Sequence, residues 1–389
     1  MRIGVDIRGL LTGQRSGIEQ YTLKVLEQLL ALDQQNTYVL FYVAYRDLGS
    51  KLEYLLSEAS FLKNSHVEIR SLKWINFPLL LHAIWKPFGW PWADKICGGL
   101  DVMWQPSPRL LPVSRQCRTV ITFHDLVFAL FPHFYTWKSR LWQWQMNYPY
   151  LARTADKMIA VSNSTKQDLV NLYHADPAKI SVVYEGVDAI YFIPQPLEAI
   201  TALRAQFNVP DKYLYYIGSL EPRKNVIAIV RGLHYIKQQE FANIKLVISG
   251  AKSWLSEAIF AEVEKLNLGQ EVIFTGPVTE QKKITWLQNA AVFVFPTFYE
   301  GFGLPVLEAM AAGCPVITAN VASLPEVTGA AALLIDPQRQ SELDAALFKL
   351  LTEPDLAHQL SSAGRQQAHQ FTWEKTAAAI LNILTNGGE

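Results

Sequence analysis

Two glutamates separated by seven residues, Glu300 and Glu308, bracket a glycine turn in the stretch that runs from Pro296 through Gly301, Phe302, Gly303 and Leu304 to Gly313 and Pro315. Upstream, Val292–Phe295 is a short apolar run of buried-strand type. Downstream, Pro305 stands where a helix would begin, and Gly313 with Pro315 marks its stop. The order is strand, glycine turn, helix. A helix start presents unpaired N–H groups and the positive end of the peptide dipoles, which suits an anion such as a diphosphate. Gly301 and Gly303 let the backbone approach closely, and Glu308 falls about one turn into the helix on the side of Glu300. Each glutamate alone reads equally well as a helix-favouring residue or a loop charge.

Other candidates sit at the ends of similar strands. Arg223 and Lys224 follow Tyr213–Ile217 and Gly218, a set able to oppose anionic charge or to form a solvated basic turn. His124 and Asp125 end Thr119–Phe123, and Gly13 and Gly17 punctuate the loop after the first strand, which ends near Ile7. Apolar runs at 38–44, 67–72, 101–105, 119–123, 157–161 and 180–184 alternate with helical patterns, implying a largely parallel sheet with right-handed crossovers. The prolines near Tyr191–Leu197 break this series, and runs at 213–217, 245–249, 272–275, 292–295, 315–318 and 332–335 begin a second. We therefore expect domains at 1–190 and 191–372, with a last helix at 373–389 crossing back to the first. Ligand sites commonly lie in the cleft between such domains. Ser162 and Thr165 are spaced to cap a helix.

Composition narrows the class. Half of the 389 residues are hydrophobic, 18% are charged, and 35 basic residues balance 35 acidic ones, so no excess charge recommends nucleic acid as a partner. Cys97, Cys117 and Cys314 form an odd set without metal-ligand spacing, as in a reducing compartment. The start of the chain lacks the basic segment and cleavage site of a signal peptide, and no apolar run reaches the roughly 18 residues of a membrane span. A cytoplasmic location is expected.

Taken together, Gly17-Ile-Glu-Gln-Tyr21, Thr122-Phe-His124-Asp125, Val161-Ser-Asn-Ser-Thr165, Glu185-Gly-Val-Asp188, the Gly218–Asn225 turn and the Glu300–Glu308 stretch give the chain a resemblance to the retaining glycosyltransferases of family 4. It extends over nearly the whole length. The resemblance implies an α/β GT-B architecture, two Rossmann-like domains facing an interdomain cleft. It implies that Glu300 and the backbone of Phe302, Gly303 and Leu304 hold the donor sugar and that Glu308 accepts from the ribose. Gly17 and Gly218 would border the donor, Arg223 and Lys224 would stabilise the departing diphosphate, and His124 would lie against the sugar. Ser219 stands where many members carry an arginine, a place Arg223 can fill. No Asp-x-Asp occurs, so metal-independent catalysis without a cofactor is expected, by same-face displacement rather than through a carboxylate nucleophile.

The expected reaction moves a hexose from a nucleotide-sugar, UDP-glucose first and GDP-mannose next, to a glycan or lipid-linked acceptor in envelope polysaccharide synthesis. The alternatives are a phosphorylase or nucleotide-sugar epimerase on the same fold, which would use the same diphosphate site, and a catalytically silent scaffold that pairs with an active partner. Two aromatic segments, Trp74–Trp92 and Phe131–Tyr150, read either as core or as a peripheral contact with the inner face of the plasma membrane.

Overall fold

The structure, a computed structural model, describes residues 1–11, 17–43, 48–72, 85, 90–253 and 255–386, without the side chains of residues 48, 49, 138 and 142. Gly13 and most of the segment Trp74–Trp92 lie outside the described residues.

The first unit comprises residues 1–128, 137–186 and 373–389. Its strands are Arg2–Asp6 (β1), Thr37–Val43 (β2), Val67–Leu72 (β3), Val102–Gln105 (β4), Arg118–Phe123 (β5), Lys157–Ala160 (β6) and Ile180–Val182 (β7). They form one parallel sheet in the order β3-β2-β1-β4-β5-β6-β7, with Ile3 in register with Tyr38 on one side and Val102 on the other. The central strands are buried along nearly their whole length, as the unbroken apolar runs require when helices cover both faces. The helix Trp373–Thr385 packs on the helix Gly17–Leu32. It is fastened where Arg118 Nη2 donates to Leu384 O at 2.7 Å and Thr376 Oγ1 donates to Tyr184 O at 2.8 Å. Ser162 caps the helix Asn163–Tyr173, its side chain accepting from Thr165 N.

The second unit comprises residues 129–136 and 187–372. Its strands are Tyr213–Ile217 (β8), Lys245–Ser249 (β9), Val272–Gly276 (β10), Val292–Phe295 (β11), Val316–Ala319 (β12) and Leu333–Ile335 (β13). The parallel order β10-β9-β8-β11-β12-β13 repeats that of the first sheet. The expected division at 190 and 191 differs from these units in two places. Val187 N already donates to Phe371 O at 3.1 Å, which ties the connection to the second unit before the prolines begin. Residues 129–136 also belong there, because Phe134 stacks on Phe298 at 5.7 Å and Phe131 meets Tyr299 at 5.9 Å. The aromatic segment Phe131–Tyr150 is thus shared between the two units, where the sequence reading put it wholly in the first.

Candidate functional site

In the second unit, the turn after β8 and the turn after β11 meet. Arg223 and Lys224 fall in a short 3-10 turn, Pro222–Lys224, which ends at Asn225 with φ of 54° before the helix Val226–Lys237. Asparagine tolerates this left-handed backbone better than most residues. The two loops are joined where Phe298 N donates to Arg223 O at 2.9 Å. Arg223 Nη1 donates to Tyr299 O at 2.7 Å and to Glu300 Oε1 at 2.9 Å, while its Nη2 donates to Glu221 Oε1 at 2.6 Å. Lys224 Nζ lies 2.5 Å from the same Glu300 Oε1, and Thr297 Oγ1 approaches that oxygen at 3.1 Å. Among the described residues none donates to Glu300 Oε2, and all three side-chain contacts fall on Oε1.

Lys224 is only 7% exposed, so the basic turn is buried rather than solvated. Burial, and then the neighbouring Arg223, push its ammonium below the ordinary lysine range. Burial alone would raise the Glu300 carboxyl, but Arg223 and Lys224 reverse this and hold it below the ordinary range.

The glycine turn is shaped by its neighbours. Ser323 Oγ donates to Glu300 O at 3.0 Å and Phe302 O at 2.8 Å. Gly303 has φ of 105°, and a Cβ there would stand 2.7 Å from Leu324 Cδ2. The backbone then enters the helix Leu304–Ala311, with Pro305 in its first turn. Gly218 N donates to Ser249 O at 3.0 Å, holding the end of β8 beside β9. Glu308, 5% exposed, accepts from Lys283 Nζ at 2.8 Å. Lys283 comes from the helix Glu280–Asn289, lies 3.0 Å from Glu280 Oε2 and sits 5.2 Å over the Tyr191 ring. Burial pushes the Glu308 carboxyl up in spite of Lys283. Burial would lower the Lys283 ammonium, yet Glu308 and Glu280 hold it above its ordinary range.

His124 and Gly17 belong to the first unit. His124 Nε2 faces Pro106 O at 2.8 Å, its Nδ1 faces Glu185 Oε1 at 3.1 Å, and its ring stands edge-on to Tyr21 with centroids 4.7 Å apart. A carbonyl oxygen can only accept, so Nε2 carries a proton, and both ring nitrogens are engaged by the protein. Gly17 begins the helix Gly17–Leu32, and a Cβ there would meet nothing within 4 Å.

The sequence profile described as Glycosyltransferase Family 4 matches residues 15–190, and that described as Glycosyl transferases group 1 matches residues 200–367. The chain belongs to the family 4 glycosyltransferases. It is 29% identical to O-antigen chain mannosyltransferase B of Escherichia coli over 94% of its length and 95% of that protein's. It matches Serotype-specific mannosyltransferase WbdA of Escherichia coli at 27% over 69% of its own length, but spans only 33% of that protein. Among solved structures, Anabaena HepE in complex with UDP and glucose aligns with a TM-score of 0.77 at 18% identity, over 99% of this chain and 100% of that one. Sucrose-phosphate synthase from Thermosynechococcus elongatus aligns at 0.73 and 20% identity, over 98% of each chain. The fold of this family 4 glycosyltransferase is therefore GT-B, as the resemblance implied.

Within this glycosyltransferase, Arg223, Lys224, Glu300, Phe302, Gly303, Leu304, Glu308 and Gly218 gather in one unit at the carboxyl ends of β8 and β11, where open α/β sheets bind ligands. Sequence reasoning missed Lys283, Tyr191, Glu221 and Thr297 in this set, and Glu185 beside His124. Lys283 carried one signal, its helical spacing with the buried Trp286 and Leu287. Among the described residues no group of three or more His, Cys, Asp or Glu is placed to hold a metal ion.

Proposed function

We propose that this glycosyltransferase moves mannose from GDP-mannose, with retention of configuration and without a metal ion, to a glycan or lipid-linked acceptor in surface polysaccharide assembly. One observation carries the donor half: Arg223 and Lys224 converge on Glu300 in a buried cluster beside the start of the helix Leu304–Ala311. Cations removed from water oppose strongly the charge that grows as a nucleoside diphosphate departs. Glu300, with Oε2 open, is suited to accept from sugar hydroxyls, and Glu308 from the ribose.

The preference for mannose reverses the order expected from sequence, and it rests on relatives named as mannosyltransferases. Retention and metal independence rest on the family resemblance and on the missing Asp-x-Asp. On the acceptor side, Trp137, Leu141 and Trp144 form an exposed row at helical spacing on Trp137–Met146, 69%, 48% and 68% exposed. This row supports docking at the lipid surface where a lipid-linked sugar resides. No described helix is long and apolar enough to cross a membrane.

The test supplies purified protein with GDP-mannose or UDP-glucose, a lipid-linked oligosaccharide and, in parallel, chelator. The reading expects mannose transfer that survives chelation and gives the donor's anomer by NMR. Faster transfer from UDP-glucose, an inverted product or loss of activity with chelator overturns the corresponding part. Conversion of GDP-mannose without acceptor would mark an epimerase or phosphorylase instead.

A further inference from the structure

The first sheet has its own point of reversal. Strands β2 and β3 lie to one side of β1, while β4 to β7 run out on the other. Beyond the carboxyl ends of two such neighbours an open α/β sheet has room for a ligand. The two segments leaving β1 and β4 each carry an arginine, Arg8 and Arg109.

Their situations differ. Arg8 is fully engaged: Nε and Nη2 grip the Asp6 carboxylate at 2.7–3.1 Å, and Nη1 and Nη2 donate to Leu110 O at 3.2 Å. Arg109 is partly buried, and its Nη2 would stand 3.6 Å from a Cβ built on Gly9. Among the described residues it makes no hydrogen bond or ion pair. The carboxylates acting on it are Asp6, already neutralised by Arg8, and more weakly Glu19, with the Tyr148 phenol also near. Burial pushes its guanidinium below the ordinary range. A partly buried guanidinium that makes no hydrogen bond to these residues keeps its donors for another acceptor.

We infer that Arg109, lying over the bare Gly9 backbone with Arg8 alongside, is an oxyanion subsite of the first unit that takes a phosphate or diphosphate group. The planar guanidinium fork matches two phosphate oxygens at once. Gly9 offers no side chain to cover the fork. The oxyanion could come from a phosphate-bearing acceptor or from the nucleoside diphosphate. The inference does not depend on the donor being GDP-mannose.

The test is calorimetry of the full chain with inorganic pyrophosphate, alone and with saturating GDP, for wild type, Arg109→Met and Arg109→Lys. Loss of one charge-assisted contact should weaken Arg109→Met about ten- to a hundredfold, with Arg109→Lys intermediate. The melting temperature of Arg109→Met should hold or rise, because an unpaired, partly buried charge has been removed, whereas loss of a structural arginine would lower it. Arg109-dependent pyrophosphate binding that persists under saturating GDP assigns the subsite to the acceptor. Binding that GDP abolishes, with GDP itself weakened in Arg109→Met, assigns it to the nucleotide. Wild type that binds neither ligand, or an Arg109→Met protein that binds both as wild type does, overturns the inference.

Discussion

Replacing Lys283 with methionine removes the cation that holds Glu308. The Lys283 and Glu308 side chains are 11% and 6% exposed and 2.8 Å apart, so water screens them little. Taking one partner from such a pair costs about 3–5 kcal/mol. For a domain near 200 residues, a loss of this kind lowers the melting temperature by roughly 2–4 °C per kcal/mol. Proton uptake by Glu308 softens the loss, since burial already pushes its carboxyl above the ordinary range and Lys283 is the largest opposing influence. The sign follows from proton linkage. A carboxyl whose folded pKa exceeds its unfolded one binds more protons when folded, so its stability contribution is present at low pH and is lost as pH rises towards the folded value. Lys283→Met should therefore melt closer to wild type at about pH 5 than at about pH 8, and adding Glu308→Gln should recover part of the loss. Thermal unfolding across that range is the assay. A variant melting within about 1 °C of wild type at both ends, or a double variant as unstable as the summed single ones, refutes the reasoning.

Other changes separate binding from turnover. Glu300→Gln should lower turnover more than donor affinity, and Glu308→Gln the reverse, in steady-state transfer kinetics; equal small effects would leave the stretch a structural turn. Glu185→Gln removes the charged partner of His124 at 3.1 Å and should slow transfer about tenfold or more while calorimetric nucleotide affinity holds. Gly303→Ala sets a Cβ 2.7 Å from Leu324 Cδ2 at φ of 105° and should cost about 1–3 kcal/mol in denaturant unfolding, along with nucleotide affinity.

Much of the fold was legible because buried parallel strands are written as unbroken apolar runs. Val292–Phe295 and Tyr213–Ile217 could be delimited from sequence alone. The turns that follow were legible too, since Gly303, Pro305 and the Arg223-Lys224 pair mark strand ends. Contacts remote in sequence were not. The Val187 N–H bond to Phe371 O shifts the unit boundary, and the stacking of Phe134 on Phe298 draws residues 129–136 out of the first unit. Lys283 lies in the polar run Glu280-Gln-Lys-Lys, which reads as a solvated helix face. Only the packing of Tyr191 and Glu308 against that helix shows it to be interior. Glu185 was likewise noted as part of a motif, while its pairing with His124 depends on β5 and β7 lying on either side of β6.

Arg223, Lys224, Glu300 and Glu308 are the proposed nucleotide-sugar seat of the second unit. Calorimetric titration of GDP into wild type, Arg223→Met and Glu308→Gln tests it most directly. Wild type should bind and each variant should lose about tenfold or more in affinity, with the folded secondary structure retained by circular dichroism. Equal GDP affinity in all three proteins would contradict it.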